Sequence, residues 1–244
     1  MGKPVRTFFF DRQLQKGLFD VAGAEARHMA GSFRLKPGDG IVLIDGSGKR
    51  GIAEIVRASS DRVKVRILRV EEGAQAPGRV LTVATSIPKE RRMEWLVEKC
   101  AELGVGAVIP TVFRRSVVRP REGRRGKEGK WRRAALEACK QSGRPTLLDV
   151  SAPRSLAEVL ASEEADAKIL LHPGGGASLS ELARDGVGER LLVLVGPEGG
   201  LEAAEEEAAM EAGFLKAKLG PYTLRTETAA VAAAAVLLGE AELL

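Results

Sequence analysis

Near the C-terminus the sequence reads LGPYTLRTETAAVAAAAVLLG, Leu219 to Gly239, with Arg225 and Glu227 at the mouth of an almost wholly apolar run. The run predicts a helix from about Thr226, and Thr226 or Thr228 suits its N-cap. A carboxylate is favoured at a helix N-terminus, which gives Glu227 an ordinary structural reading. Its second reading is a proton acceptor, or the group that positions Arg225. A cation has no such reason to stand there. Arg225 is therefore expected to face an anionic group, or one that turns negative along a reaction path.

Three apolar runs end in turns nearby: Leu171-His172-Pro173, Gly196-Pro197-Glu198 and Leu219-Gly220-Pro221. In open parallel sheets, ligands sit at the carboxyl ends of strands, and glycine there lets backbone approach a ligand closely. A Gly-Pro turn alone is usually a plain loop. Two of them, 220 − 196 = 24 residues apart and both leading into helices, point to a shared pocket. GPEGG lacks the G-x-G-x-x-G spacing of a dinucleotide site, and neither it nor HPGGG continues as a P-loop. Cys100, Cys139, His28 and His172 are scattered without ligand spacing, so neither a metal site nor a disulfide framework is expected.

The elements that must hold these residues fall into two regimes. Residues 1–72 are β-rich, with DGSGKR as a hairpin turn between alternating strands, and suggest a small barrel. The polar stretch EEGAQAPGR, Glu71 to Arg79, marks the boundary, with a linker at 73–79. From 80 to 244 strands alternate with helices: RVLTVATSI, ERRMEWLVEKCAEL, VGAVIP, KWRRAALEACKQS, AKILLHP, RLLVLVGPEGG, LEAAEEEAAMEA and FLKAKLGPY. This is α/β architecture with a mainly parallel sheet. The last helix is apolar on every side and is expected to be buried, in part against a second subunit.

The formal net charge of +5 is unevenly spread. From Arg114 to Arg133, RRSVVRPREGRRGKEGKWRR holds ten Lys/Arg against Glu122 and Glu128, a local balance of 10 − 2 = +8. Such a block is either a solvated loop or a phosphate-contacting arm. No stretch of eighteen apolar residues could span a bilayer, and MGKPVRTFFFDRQLQK does not read as a secretory signal, so the expected location is cytoplasmic.

The run LVGPEGGLEAAEEEAAMEAGFLKAKLGPYTLRTETAAVAA closely resembles the C-terminal signature of the small-subunit ribosomal RNA methyltransferase E family, the 16S rRNA (uracil-N3)-methyltransferases. The likeness extends through RLKPGDGIVLIDGSG, KERRMEWLVEKCAELGV, RSVVR and EACKQSGRP, nearly the whole chain. The resemblance implies a PUA-like RNA-binding β-barrel followed by a SPOUT-type α/β domain, a mainly parallel sheet with helices on both faces and a trefoil knot. It implies S-adenosylmethionine as cofactor, a homodimer, and methylation of N3 of the decoding-region uridine 1498 of 16S rRNA in the small ribosomal subunit. Where the family pattern reads like RVLRLKPGD, this chain has Gly31-Ser32-Phe33 before Arg34, which puts the barrel's contact surface in question.

By the same resemblance the cofactor loops are Leu171 and His172, then Gly196, Glu198 and Gly200, then Leu219, Gly220, Leu224 and Ala229. His172 reads equally as a residue that caps its own loop. Arg225 and Glu227 are the catalytic candidates: a cation beside O2 and O4 of uracil would favour the N3 anion. For RNA, the basic block (Arg114, Arg115, Arg119, Arg121, Arg124, Arg125) with Arg6, Arg50, Lys89, Arg91 and Arg92 would touch phosphates. Lys140, Gln141, Ser142 and Arg144 would line the substrate side. Two alternatives stay open: a non-catalytic RNA-binding or ribosome assembly factor, and a ribose 2′-O-methyltransferase on the same fold.

Overall fold

The computed structural model describes residues 6–73, 78–89, 91–119 and 128–239. The chain packs as two units: Met1–Gln75 with Cys139–Leu147, and Ala76–Ala138 with Leu148–Leu244. The junction at 75/76 lies inside the polar stretch 73–79. Nothing in the sequence signals that 139–147 returns to the first unit.

The first unit is a barrel-like mixed sheet of β1 (Arg6–Phe9), β2 (Gly17–Ala22), β3 (Gly40–Ile44), β4 (Lys49–Ala58) and β5 (Arg62–Glu72), ordered β1-β3-β4-β5-β2. β1 runs parallel to β3, and the other pairs are antiparallel. Alternate residues point inward, as a two-residue period requires: Ile41 and Leu43, Ala53 and Ile55, Val63, Val65 and Ile67 close on Phe8 and Phe10. The expected turn joins β3 to β4, with Gly46 and Gly48 both at positive φ. After β2 the chain forms a short helix α1 (Gly23–Arg27) that widens into a π-helical turn, His28–Ser32. The returning segment bridges Thr146 to Gly46 and Ser47, and Lys140 Nζ lies 2.8 Å from Glu25 Oε1.

The second unit is an eight-stranded sheet whose pairs are all parallel. In chain order its elements are β6 (Val80–Ser86), α2 (Arg92–Glu102), β7 (Ala107–Val112), α3 (Glu128–Ser142), β8 (Asp149–Val150), β9 (Arg154–Ser155), α4 (Leu156–Ser162), β10 (Ala167–Leu171), β11 (Ala177–Ser178), α5 (Leu179–Arg184), β12 (Arg190–Val195), α6 (Ala203–Glu211), β13 (Phe214–Lys218) and α7 (Thr226–Gly239). The last four residues of α3 belong to the first unit. The spatial order is β11-β13-β10-β12-β6-β7-β8, with β9 also beside β7. β12 thus inserts between β6 and β10, and the carboxyl ends of β13, β10 and β12 lie side by side.

α2 and α5 pack on α7, which also covers β6 and β12, while α4 packs on α6 and β7. The α7 face formed by Ala230, Ala233, Ala234, Leu237 and Leu238 is buried within its own chain, and Thr228 and Ala235 are exposed. Buried Arg79 donates from one guanidinium to the carbonyls of Leu237 and Ala183, both at 3.1 Å, satisfying acceptors near the ends of α7 and α5. Among the described residues, no helix is long and apolar enough to cross a membrane.

Candidate functional site

A cavity of about 240 Å³ opens where β10, β12 and β13 end. All nine residues expected in the cofactor loops line it: Leu171, His172, Gly196, Glu198, Gly200, Leu219, Gly220, Leu224 and Ala229. Pro173, Val195, Pro197, Leu201, Tyr222, Thr223 and Thr226 complete the wall. At two glycines in or behind this wall a side chain would meet a neighbour. A Cβ on Gly196 would stand 2.3 Å from Leu201 Cδ1, and one on Gly175, behind the His172 loop, 2.6 Å from the carbonyl carbon of Ala217. Gly200 adopts φ +71°, where glycine alone is unstrained.

Hydrogen bonds tie the loops to one another. Thr226 Oγ1 donates to the Gly196 carbonyl at 3.1 Å, tying the start of α7 to the end of β12. Gly200 N–H closes the GPEGG turn on the Pro197 carbonyl at 2.9 Å. Arg115 donates to the Gly199 carbonyl at 3.0 Å, and Glu205, buried at the start of α6, accepts from the backbone N–H of Arg114 and of Glu202. The beginning of the basic block is thereby fastened to the glycine loop.

His172 does both things its position suggested. Its ring lines the cavity, and its Nδ1 accepts the Gly174 N–H at 3.0 Å, capping the loop. Nδ1 therefore carries the lone pair and Nε2 the proton. Nε2 lies 3.3 Å from Glu206 Oε1, while Glu206 Oε2 accepts from Lys216 at 2.5 Å. The Lys216 hydrogen bond is the main reason the Glu206 carboxyl sits below its ordinary value; burial opposes it, and His172 adds to the lowering. Glu206 and Lys216 escaped sequence reasoning because, although inside the quoted run, they lie within α6 and β13 and not at the strand-end turns.

Arg225 and Glu227 do not line the cavity. Arg225 is exposed, and among the described residues its guanidinium meets no acceptor; its carbonyl starts the α7 ladder with Ala229 N–H at 2.8 Å. Glu227 is 6% exposed and turns toward α2, with Oε1 3.6 Å from Arg92 Nε and Oε2 enclosed without a partner. Arg92 is thus a partner of Glu227 as well as a candidate for RNA.

Among the RNA candidates, Arg6, Lys89, Arg91, Arg114, Arg115, Arg119 and Gln141 are exposed. Arg121, Arg124 and Arg125 lie outside the described residues. Arg119 donates to the Arg114 carbonyl at 2.7 Å, and Arg144, half-buried, to Thr146 Oγ1 at 3.0 Å. Arg50 is half-buried with its Nε enclosed. Lys140 departs from its expected place on an open substrate side: it is 6% exposed, with its ammonium 2.8 Å from Glu25 Oε1.

A family model described as an RNA methyltransferase domain matches residues 74–238, and one described as an RNA methyltransferase PUA domain matches 21–68. The ribosomal RNA small subunit methyltransferase E of Bacillus subtilis is 32% identical over 239 residues, covering 93% of this chain and 91% of that one. Its counterpart from Mycobacterium tuberculosis is 33% identical over 221 residues, covering 87% and 83%. Among solved structures, a Legionella pneumophila protein in complex with bound SAM superposes with a TM-score of 0.89 at 28% identity, covering 97% and 98%. The ribosomal RNA small subunit methyltransferase E of Neisseria gonorrhoeae, bound to S-adenosyl methionine, gives 0.87 at 29%, covering 96% of each chain. The two units are those of a SPOUT-type methyltransferase with a PUA domain. The chain belongs to the ribosomal RNA small subunit methyltransferase E family.

Proposed function

We propose that the protein methylates N3 of a uridine in small-subunit ribosomal RNA, with S-adenosylmethionine as methyl donor. The observation that carries this reading is the single cavity at the ends of β10, β12 and β13, walled by all nine residues expected of the cofactor loops. The cavity fits a nucleoside-bearing cofactor: leucines offer apolar walls to a base, and Gly196, Gly200 and Gly220, having no side chain, leave backbone N–H and C=O within reach of its polar edge. When bound, the cofactor supplies a methyl group made electrophilic by its sulfonium.

The protein's part is to make N3 a nucleophile. Neutral uracil carries a proton there, and loss of that proton spreads charge onto O2 and O4. Arg225, exposed, uncommitted and always charged, has a planar fork suited to those oxygens. Glu227 holds one acceptor oxygen free beside Arg92; it serves as the proton acceptor or fixes the start of α7 under Arg225. The basic residues from Arg114 onward supply phosphate contacts, and the first unit serves as the RNA-binding barrel, with the second unit as the methyltransferase domain.

We further infer a homodimer built on the outward face of α7, around Thr228 and Ala235, and, from family resemblance, a knotted path through the cofactor loops in a cytoplasmic enzyme. Nucleoside analysis of RNA methylated by the purified protein tests the reaction: 3-methyluridine is expected. Ribose methylation would move the activity to the 2′-hydroxyl, and no methylation with intact RNA binding would leave an assembly factor. Substrate preference between free 16S rRNA and the small subunit is measured in the same assay.

A further inference from the structure

Arg6 opens β1 in an exposed position, yet its side chain does not extend into water. Its Cζ lies 3.8 Å above the centroid of the Phe33 ring, and among the described residues the guanidinium makes no hydrogen bond or ion pair. Phe33 packs on two further rings: buried Phe8 stands near-perpendicular to it at 5.6 Å, and the His28 ring lies tilted against it at 4.6 Å. Both Phe33 and His28 remain partly exposed.

The backbone that presents these rings is unusual at two adjoining points. His28–Ser32 forms the π-helical turn, closed by Phe33 N–H on the His28 carbonyl at 3.1 Å. Such turns recur at functional sites. Arg34 follows at φ +49°, the single non-glycine residue with positive φ among those described. A bulky side chain in that region is held there by its surroundings. From Arg27 to Lys36 the segment carries Arg27, Arg34 and Lys36 and no carboxylate. Phe33 also belongs to the stretch where the sequence departs from the family pattern.

We propose that Arg6, Phe33 and His28 form a stacking platform for an unpaired nucleobase of single-stranded RNA, with Arg27, Arg34 and Lys36 as its phosphate-facing surround. The inference rests on the reading of the protein as an RNA enzyme and gives Arg6 a role different from a plain phosphate contact. A guanidinium laid over an aromatic ring is weakly hydrated and keeps one planar face open, which suits the π-face of a base. Any base has such a face, so the platform selects unpaired over paired nucleotides rather than one base over another.

The test compares binding of the full-length protein, by fluorescence anisotropy, to a short end-labelled single-stranded RNA and to an abasic ribose-phosphate chain of equal length. The native protein should prefer the base-bearing strand about ten-fold. Arg6→Lys keeps the charge but loses the plane, so it should remove most of that preference while leaving the salt dependence unchanged. Phe33→Leu should do the same, with circular dichroism to verify folding, and Arg34→Gln should instead flatten the salt dependence. Equal native binding to both strands, binding to neither, or a preference that survives Arg6→Lys would overturn the platform. The enzyme reading fails separately: loss of S-adenosylmethionine binding or of methyl transfer, with the base preference intact, would sink that reading alone.

Discussion

Arg92 Nε and Glu227 Oε1 lie 3.6 Å apart, joining the first residue of α2 to the second residue of α7. Glu227's side chain is 8% exposed and that of Arg92 42%, so the pair is a buried carboxylate held by a half-exposed cation. Removing the cation strands the carboxylate. Arg92→Ala should destabilise the protein by about 1–3 kcal/mol, below the range for fully buried pairs because water reaches the arginine. Adding Glu227→Gln should recover much of that loss. Urea denaturation of the two single variants and the double variant measures the coupling.

Arg225 should act on rate rather than affinity. If its guanidinium stabilises a uridine anion that exists only along the reaction path, Arg225→Ala should cut single-turnover methylation by about 10²–10³-fold. Dissociation constants for S-adenosylmethionine and RNA should change little, and Arg225→Lys should recover only part of the rate. A normal rate in Arg225→Ala would reduce this arginine to a phosphate contact.

Glu206 should leave a mark on acid stability. Its carboxyl is held below the ordinary 4.5, first by the Lys216 hydrogen bond. A depressed folded-state pKa contributes stability that is fully present above the unfolded value and is lost as pH falls through the folded one. Glu206→Gln should therefore flatten the fall in thermal midpoint below about pH 4.5. It should also loosen the His172 ring, because the single amide oxygen cannot accept from both Lys216 and the Nε2 proton. With His28 and His172 the only histidines, long-range ¹H–¹⁵N NMR reports the tautomer directly.

Two neighbouring alanines on α7 should answer differently to the same charge. Ala233 is 0% exposed in its own chain, so Ala233→Glu should unfold the protein by burying an unpaired carboxylate. Ala235 faces outward, so Ala235→Glu should leave the fold intact and break the dimer. Light scattering together with circular dichroism separates the two outcomes; a native monomer would remove the interface altogether.

The basic block should reveal itself through salt. Replacing Arg121, Arg124, Arg125 and Lys127 by Ala should weaken RNA binding and reduce the slope of log K against log salt by up to about 0.7–0.9 per lost phosphate contact. S-adenosylmethionine affinity should be unaffected.

What the sequence made legible was local. DGSG between alternating strands reads as a hairpin because glycine is what a tight reversal needs, and three apolar runs ending in Pro or Gly-Pro read as strand ends. The cavity walls followed from those ends taken together with family resemblance. Helices α4 and α5 were missed, although Ser155-x-x-Glu158 and Ser178-x-x-Glu181 are capping boxes that mark their starts. The insertion of β12 between β6 and β10 was not legible, because buried parallel strands look alike and order is decided by packing. Nor was the fate of two charges: Lys140 finds Glu25 across 115 residues, and Glu227 turns to Arg92, pairings that no local spacing encodes.

The return of Cys139–Leu147 to the first unit makes that unit a matter of timing during synthesis. Thr146 bridges Gly46 and Ser47, Gly48 N–H meets the Pro145 carbonyl at 3.3 Å, and Glu25 finds Lys140, all through residues made after β6, α2, β7 and most of α3. Between Gln75 and Leu147 the ribosome adds 147 − 75 = 72 residues. At ordinary elongation rates that is a wait of roughly 4–14 s. The N-terminal unit therefore emerges first but is completed late, and a fragment ending at residue 75 would carry the Glu25 carboxylate and the β3–β4 turn without the segment that closes on them.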